Sequence, residues 1–252
     1  MSLTERDCLK QYNIKILILS RGRSDSVTTT ELLPDWVELL VPETEKELYA
    51  ARYKNPILTI PDSVKGLGLV RNWILDHFKE NIVIMIDDDI KKMYCITELH
   101  ARAISDKDEF VQILINTAVM CEDAGLHCFG FSQTDIRKYS GCEPFKLVGW
   151  VGCIIGVIGR KYRFRDDKFK VDIDFCLKNL LVDRVIWIDN RYYCIQNRDN
   201  NKGGNSAFRT QEDYQKSLDS LLEKWKGWLT VSENKSQVSI KTHIKRKQEV
   251  KL

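Results

Sequence analysis

Residues 82–91 read IVIMIDDDIK, a run of five apolar side chains that stops at three consecutive carboxylates. A short β-branched run bounded by polar residues predicts a buried strand, with Asp87, Asp88 and Asp89 at its C-terminal edge. In an open α/β sheet that edge is where ligands bind. Three adjacent anions repel one another, and two readings stand open: an acidic surface turn, or carboxylates sharing a divalent metal that bridges a substrate's phosphates. Alternate residues at a strand end face one side. Asp87 and Asp89 are therefore the expected metal pair, while Asp88 points away, to a ribose or backbone group or into solvent.

Outward from this strand the chain alternates. IKILILS (14–20) predicts a first core strand that feeds the basic, hydroxyl-rich loop RGRSDS. WVELLVP (36–42) and PILTIP (56–61) predict two more strands around a helical ETEKELYAARY, and GLGLVRNWILDHFKE repeats Leu67, Val70, Ile74 and Phe78 at helical spacing. After the acidic triplet, SDKDEFVQILINTAVMCEDAG predicts a helix with Ser105 and Asp108 in a capping box and Gly125 as its stop. HCFGFS (127–132) and GWVGCIIGVIG (149–159) predict strands joined by a long loop. A helix from about residue 172 to 182, two late strands VIWID and RYYCIQ, and a last helix capped by Thr210 follow. The expected architecture is α/β: one domain, a mixed central sheet flanked by helices, over residues 1–230.

Composition agrees with that class. The 252 residues are 43% hydrophobic and 30% charged, and no window holds the run of apolar residues that a membrane span needs. The N-terminal MSLTERDCLKQY lacks the apolar core of a signal peptide, so a cytoplasmic protein is expected. Eight cysteines show no C-x-x-C pair and fall mostly in apolar segments, as reduced packing residues do. From Lys235 to Leu252 six Lys or Arg stand against one Glu, a net of five positive charges. Residues 231–252 are read as a basic tail, either solvated or laid along phosphates.

Two further stretches carry chemistry. VDIDF places Asp172 and Asp174 at a helix start, where exposed N–H groups favour carboxylates for purely structural reasons. NRDNNKGGNS (197–206) joins Lys202 to Gly203 and Gly204; consecutive glycines let backbone N–H groups approach an anion, and a plain flexible turn is the other reading. The four histidines show no metal-ligand spacing.

Read in order, the Arg-rich loop, GLVRN, IDDD and KVDIDFCLKNLL…VIWIDNRYYC…NNKGGNS…R resemble nucleotide-sugar glycosyltransferases of the GT-A type. More narrowly they resemble the phage glycosyltransferases encoded beside TET-type methylcytosine dioxygenases. The resemblance spans about residues 14–209 and implies a GT-A-like fold, a nucleotide-diphosphate sugar donor, and Mn²⁺ or Mg²⁺ on Asp87 and Asp89. It implies that Ser20, Arg21 and Arg23 receive the nucleotide and that Arg71 meets the donor's phosphates with Asn72 orienting backbone beside it. Asp88, Lys202, Gly203 and Gly204 complete the donor side. Asp172 or Asp174 would be the acceptor base, Asp172 the slightly favoured one. The implied acceptor is 5-hydroxymethylcytosine, or a related hydroxylated base, in double-stranded phage DNA within the bacterial host cytoplasm, with no membrane partner. Trp150, Lys161, Arg163, Arg165 and the tail are candidate DNA contacts. Two alternatives remain: a glycosyltransferase or nucleotidyltransferase on another acceptor such as polysaccharide, and an inactive GT-A fold that binds DNA.

Overall fold

The computed structural model describes residues 4–97, 100–138, 143–167, 169–197, 210–232 and 238–240. A short helix, α1 (Glu5–Gln11), leads into β1 (Ile14–Leu19), and the early apolar runs become β2 (Glu38–Pro42), β3 (Ile57–Ile60) and β4 (Ile82–Asp87). All four strands are parallel, in the order β3-β2-β1-β4. Between them run α2 (Lys46–Ala50) and α3 (Leu67–His77). The chain moves outward from β1 to β2 and β3, then returns to the other side of β1 for β4. That reversal makes the β1/β4 edge a topological switch point, with a crevice at the carboxyl ends of the strands. Leu19 lies opposite Asp87 in the ladder, so the loop after β1 and the acidic turn after β4 share that crevice.

Beyond Asp87 the structure adds an antiparallel hairpin that the sequence pattern does not predict, β5 (Ile90–Thr97) with β6 (His100–Ala103). Next come α4 (Lys107–Asp123), β7 (Cys128–Ser132), β8 (Phe145–Lys146), β9 (Ile154–Ile158), α5 (Val171–Val182) and β10 (Trp187–Gln196). The cap of α4 is Asp106 rather than Ser105: its carboxylate accepts from the N–H groups of Asp108 and Glu109, one residue further into the chain. VIWID and RYYCIQ form one strand, because the polar residues between them are internally satisfied. Arg191 folds back on the buried Asp189, and Asn190 bonds the backbone of Glu143 and Pro144.

Strand β10 is bent at that point. Its first part runs parallel to β7 and its second part antiparallel to β5, with an irregularity in pairing between Asp189 and Tyr193. The bend lets β5, which starts only three residues after the end of β4, join the far part of the sheet, in the order β4-β9-β7-β10-β5-β6. It also returns the end of β10 to the acidic turn. After α6 (Gln211–Lys224), β11 (Leu229–Val231) pairs antiparallel with β12 (Val238–Ile240).

At β4 the sheet is buried on both faces. Ile82, Ile84 and Ile86 of β4 pack in one apolar cluster with Phe110, Leu114 and Cys121 of α4, while Val83 and Met85 pack in the other with Ile74 of α3 and Phe175 and Leu180 of α5. Burying one such side chain contributes about 1.5–3 kcal/mol. Five in succession fix where β4 must emerge and hold the carboxylates at its open end. The described cysteines carry no disulfide between them, and most lie in the core.

Candidate active site

At the mouth of the crevice the acidic turn is held by its backbone. Thr29 donates its hydroxyl to the Asp87 carbonyl and its N–H to the Asp88 carbonyl, and accepts from the N–H of Ile90. With the backbone fixed, the Asp88 side chain parts from those of Asp87 and Asp89. Asp88 is buried and turns toward the loop after β1, where it accepts from Ser20 Oγ and, at 2.7 Å, from Arg23. Tyr49 of α2 bonds Ser20 Oγ at 2.8 Å and accepts from the N–H of Arg23, and burial pushes its phenol up to about 12. Arg21 reaches the Val64 carbonyl, so the loop is tied to the segment entering α3. Ser20, Arg23 and Asp88 are thus brought together, and Asp88 orders the loop.

Asp87 and Asp89 meet one group. Gln196, the last residue of β10, donates Nε2 to Asp87 Oδ2 at 3.2 Å and to Asp89 Oδ1 at 2.9 Å. Asp89 also lies 3.7 Å from Arg23. Desolvation in the crevice raises the Asp87 carboxyl to about 7; Asp89, Asp88 and Asp172 add to the rise, and Arg71 opposes it. Asp172 therefore stands within electrostatic reach of the acidic turn, partly exposed in the first turn of α5.

Arg71 is the unusual residue. It is 2% exposed, on the inner face of α3, with its guanidinium 5.3 Å over the Phe164 ring and 3.9 Å from Asp87. Its Nε and Nη1 have no hydrogen-bond partner. A buried guanidinium with idle N–H groups is expensive unless an anion completes it. Neighbouring Asn72 holds protein backbone instead. Its amide donates to the Phe164 carbonyl and accepts from the Phe164 N–H, at 3.0 and 2.9 Å, locking in place the segment that carries the ring under Arg71. Gly68 lets the helix approach this closely, since a Cβ there would lie 1.9 Å from the Arg165 carbonyl.

Asp174 does not join the crevice. Fully buried, it pairs with Lys178 at 2.9 Å and Lys224 at 2.5 Å and accepts from the Trp225 indole at 2.8 Å, linking α5 to α6. Burial pushes its carboxyl up, but these three partners hold it below the ordinary carboxylate range. The basic residues read as DNA contacts also have acidic partners: Lys161 meets Asp183, Arg163 meets Asp76 and Arg165 meets Asp167. Trp150 packs against the second core cluster. Lys202, Gly203, Gly204, Arg209 and tail residues 241–252 lie outside the described residues. Sequence reasoning missed Gln196, Thr29 and Tyr49; no local signal marks them, because each acts through a contact distant in sequence.

Among the described residues no three His, Cys, Asp or Glu side chains converge as a metal cluster. Two carboxylates do converge, on Gln196 Nε2, beside the incompletely bonded Arg71. That donor set fits a hard, open-coordinated ion that takes its remaining oxygens from water and phosphates. No described helix is long and apolar enough to cross a membrane.

Comparison with known proteins places the chain in a family. A family model described as TET-Associated Glycosyltransferase matches residues 14–204. No curated protein matches the chain in sequence. Among solved structures, glucosyl-3-phosphoglycerate synthase from Mycobacterium tuberculosis in complex with Mn²⁺, uridine diphosphate and glucosyl-3-phosphoglycerate aligns with TM-score 0.51 at 13% identity, over 89% of this chain and 85% of that one. The same enzyme with Mn²⁺, uridine-diphosphate-glucose and phosphoglyceric acid aligns with TM-score 0.50 at 13% identity, over 94% and 90%. At 12% identity, its Mg²⁺ and uridine-diphosphate complex gives TM-score 0.51 over 89% and 84%. These likenesses carry the fold, which is of the GT-A glycosyltransferase type.

Proposed function

Because the chain belongs to the TET-associated glycosyltransferase family, and is thus a glycosyltransferase, we propose that it moves a sugar from a nucleotide-diphosphate donor to the hydroxymethyl group of 5-hydroxymethylcytosine, or a related hydroxylated base, in double-stranded phage DNA in the host cytoplasm. The observation that carries the donor side is Arg71: a guanidinium buried at the switch point, with two N–H positions unfilled, beside Asp87. A diphosphate supplies the oxygens those N–H groups lack, and a planar guanidinium can hold two of them at once.

Asp87 and Asp89 would hold Mg²⁺ or Mn²⁺, whose charge would stabilise the departing diphosphate. The loop after β1, ordered by Asp88 and Tyr49, presents Ser20, Arg21 and Arg23 toward the nucleotide. Lys202, Gly203 and Gly204 are assigned to the same phosphates from their sequence alone. Asp172 is the proposed base: partly exposed and near Asp87, it takes the proton of the acceptor hydroxyl as that oxygen bonds the anomeric carbon. The bond from that carbon to the diphosphate breaks, and its electron pair leaves with the diphosphate oxygen. Asp174 is assigned no chemical step, because its oxygens are engaged by Lys178, Lys224 and Trp225.

The test combines the full chain with Mn²⁺, a panel of nucleotide sugars and duplex DNA containing hydroxymethylcytosine, followed by digestion and mass measurement of the nucleosides. A sugar mass added to that nucleoside supports the reading. Donor turnover with no nucleoside gaining mass overturns the DNA acceptor and favours a different one, such as polysaccharide.

A further inference from the structure

Gln196 reaches the acidic turn through two features of the strand that carries it. The bend of β10 returns its end to β4, and a register shift between Ile195 and Gln196 makes these residues oppose Lys92 and Ile90, skipping Lys91. A bulge beside a site re-aims a side chain. Here it turns Gln196 onto Asp87 and Asp89, and the Asn197 N–H fastens the strand end to the Asp89 carbonyl at 2.9 Å. One nitrogen contacts carboxylates of two different residues, the point at which a shared cation would balance them. The buried, incompletely bonded guanidinium of Arg71 beside Asp87 independently marks the place as one built for a ligand.

We propose that Gln196 is the third protein ligand of the divalent cation: with the ion absent its Nε2 bridges Asp87 and Asp89, and with the ion present its amide turns to offer Oε1. This rests on the metal reading above and deepens it. A glutamine amide carries a donor and an acceptor on one carbon, so a half-turn about its last torsion exchanges a cation mimic for an oxygen ligand. Hard divalent ions accept amide carbonyl oxygens. The neutrality of this ligand matters. Two carboxylates and an amide leave a divalent ion with no net charge, ready for a diphosphate, whereas a third carboxylate would repel it.

The experiment is Mn²⁺ binding to the full chain without donor or acceptor, followed by the loss of the free-ion electron paramagnetic resonance signal, with nucleoside diphosphate binding measured in saturating Mn²⁺. Gln196→Met keeps length and removes the oxygen, and is expected to weaken Mn²⁺ binding by about tenfold or more. Gln196→Glu is expected to strengthen Mn²⁺ binding and weaken the diphosphate; it serves as the reading if the Met variant misfolds in thermal unfolding. Mn²⁺ affinity in Gln196→Met equal to or above that of the native chain would mean the amide only competes with the ion, and overturns the inference alone. If the native chain shows no saturable Mn²⁺ binding, both the inference and the metal reading fall.

Discussion

The acidic turn after β4 and the first turn of α5 carry the same spacing, Asp-x-Asp, and the fold gives the two pairs opposite fates. Asp87 ends β4 and Asp89 lies in the two-residue turn before β5, and that turn, held by Thr29, brings both carboxylates onto Gln196. Along a helix, residues two apart lie about 200° around the axis. Asp172 accordingly stays partly exposed and within electrostatic reach of Asp87, while Asp174 is driven into the α5–α6 interface. The same spacing of carboxylates thus gives a shared site in one region and a divided labour in the other. The difference is set by the backbone each pair sits on, a tight turn in one case and a helix in the other.

The largest effect should come from the pair that works together. Asp89→Asn leaves Gln196 a partner but removes a charge from the converging pair, and should lower kcat/KM by about a thousandfold while leaving the unfolding temperature nearly unchanged. Wild-type turnover in the variant would dissolve the distinction between the two regions.

The second pair should separate cleanly. Asp172→Asn should lower kcat by about a hundredfold or more with little loss of stability, as for a missing general base. Asp174→Asn should do the reverse: about 3 kcal/mol less stable, because it leaves Lys178 and Lys224 without their buried partner, with kcat per folded molecule retained. The low end of the range for broken buried pairs applies, since Lys224 is half-exposed. The pH dependence has a definite sign. A carboxyl held below its ordinary range stabilises the fold above its unfolded pKa, near 4, and that stability is lost as pH falls through the folded value. Urea unfolding should therefore show the full difference between native and variant at neutral pH and a narrowing one below about pH 4. Equal activity losses at the two positions would break the comparison.

How far the sequence disclosed this arrangement varies with range. Asp87 to Asp89 are legible because a five-residue apolar run fixes the strand end locally. Asp172 and Asp174 are legible as a pair but not as opposites, since the partners that capture Asp174, Lys224 and Trp225, lie some fifty positions away. The hairpin β5–β6 has exposed or half-exposed residues of mixed polarity at most positions and so lacks a clean alternation. Asp106 displaced Ser105 as cap because two competent residues stand side by side, and only the first-turn geometry chooses between them. Gln196 is invisible for a stronger reason. Its role depends on a bend and a register shift in a strand more than a hundred residues from the carboxylates.

The smallest effect should fall on Arg71, which sharpens the comparison by testing what the strand-end pair is for. If the crevice holds a diphosphate, Arg71→Ala removes charge-assisted hydrogen bonds to it and should weaken nucleoside diphosphate binding by about 1.5–3 kcal/mol in calorimetry. A second consequence must be kept apart. Arg71 opposes the rise of the Asp87 carboxyl, so its loss also removes a positive charge that repels both a proton and a cation there, and changes the occupancy of the ion site. Measuring at saturating Mn²⁺ removes that contribution and leaves the phosphate contact. Arg71→Lys then separates charge from shape: a lysine restores the charge near Asp87 but cannot present two parallel N–H groups, so it should recover part of the lost diphosphate affinity and not all of it. Unchanged diphosphate binding in Arg71→Ala would leave the buried guanidinium a structural neighbour of Phe164 and Asp87, and would move the donor's phosphates elsewhere.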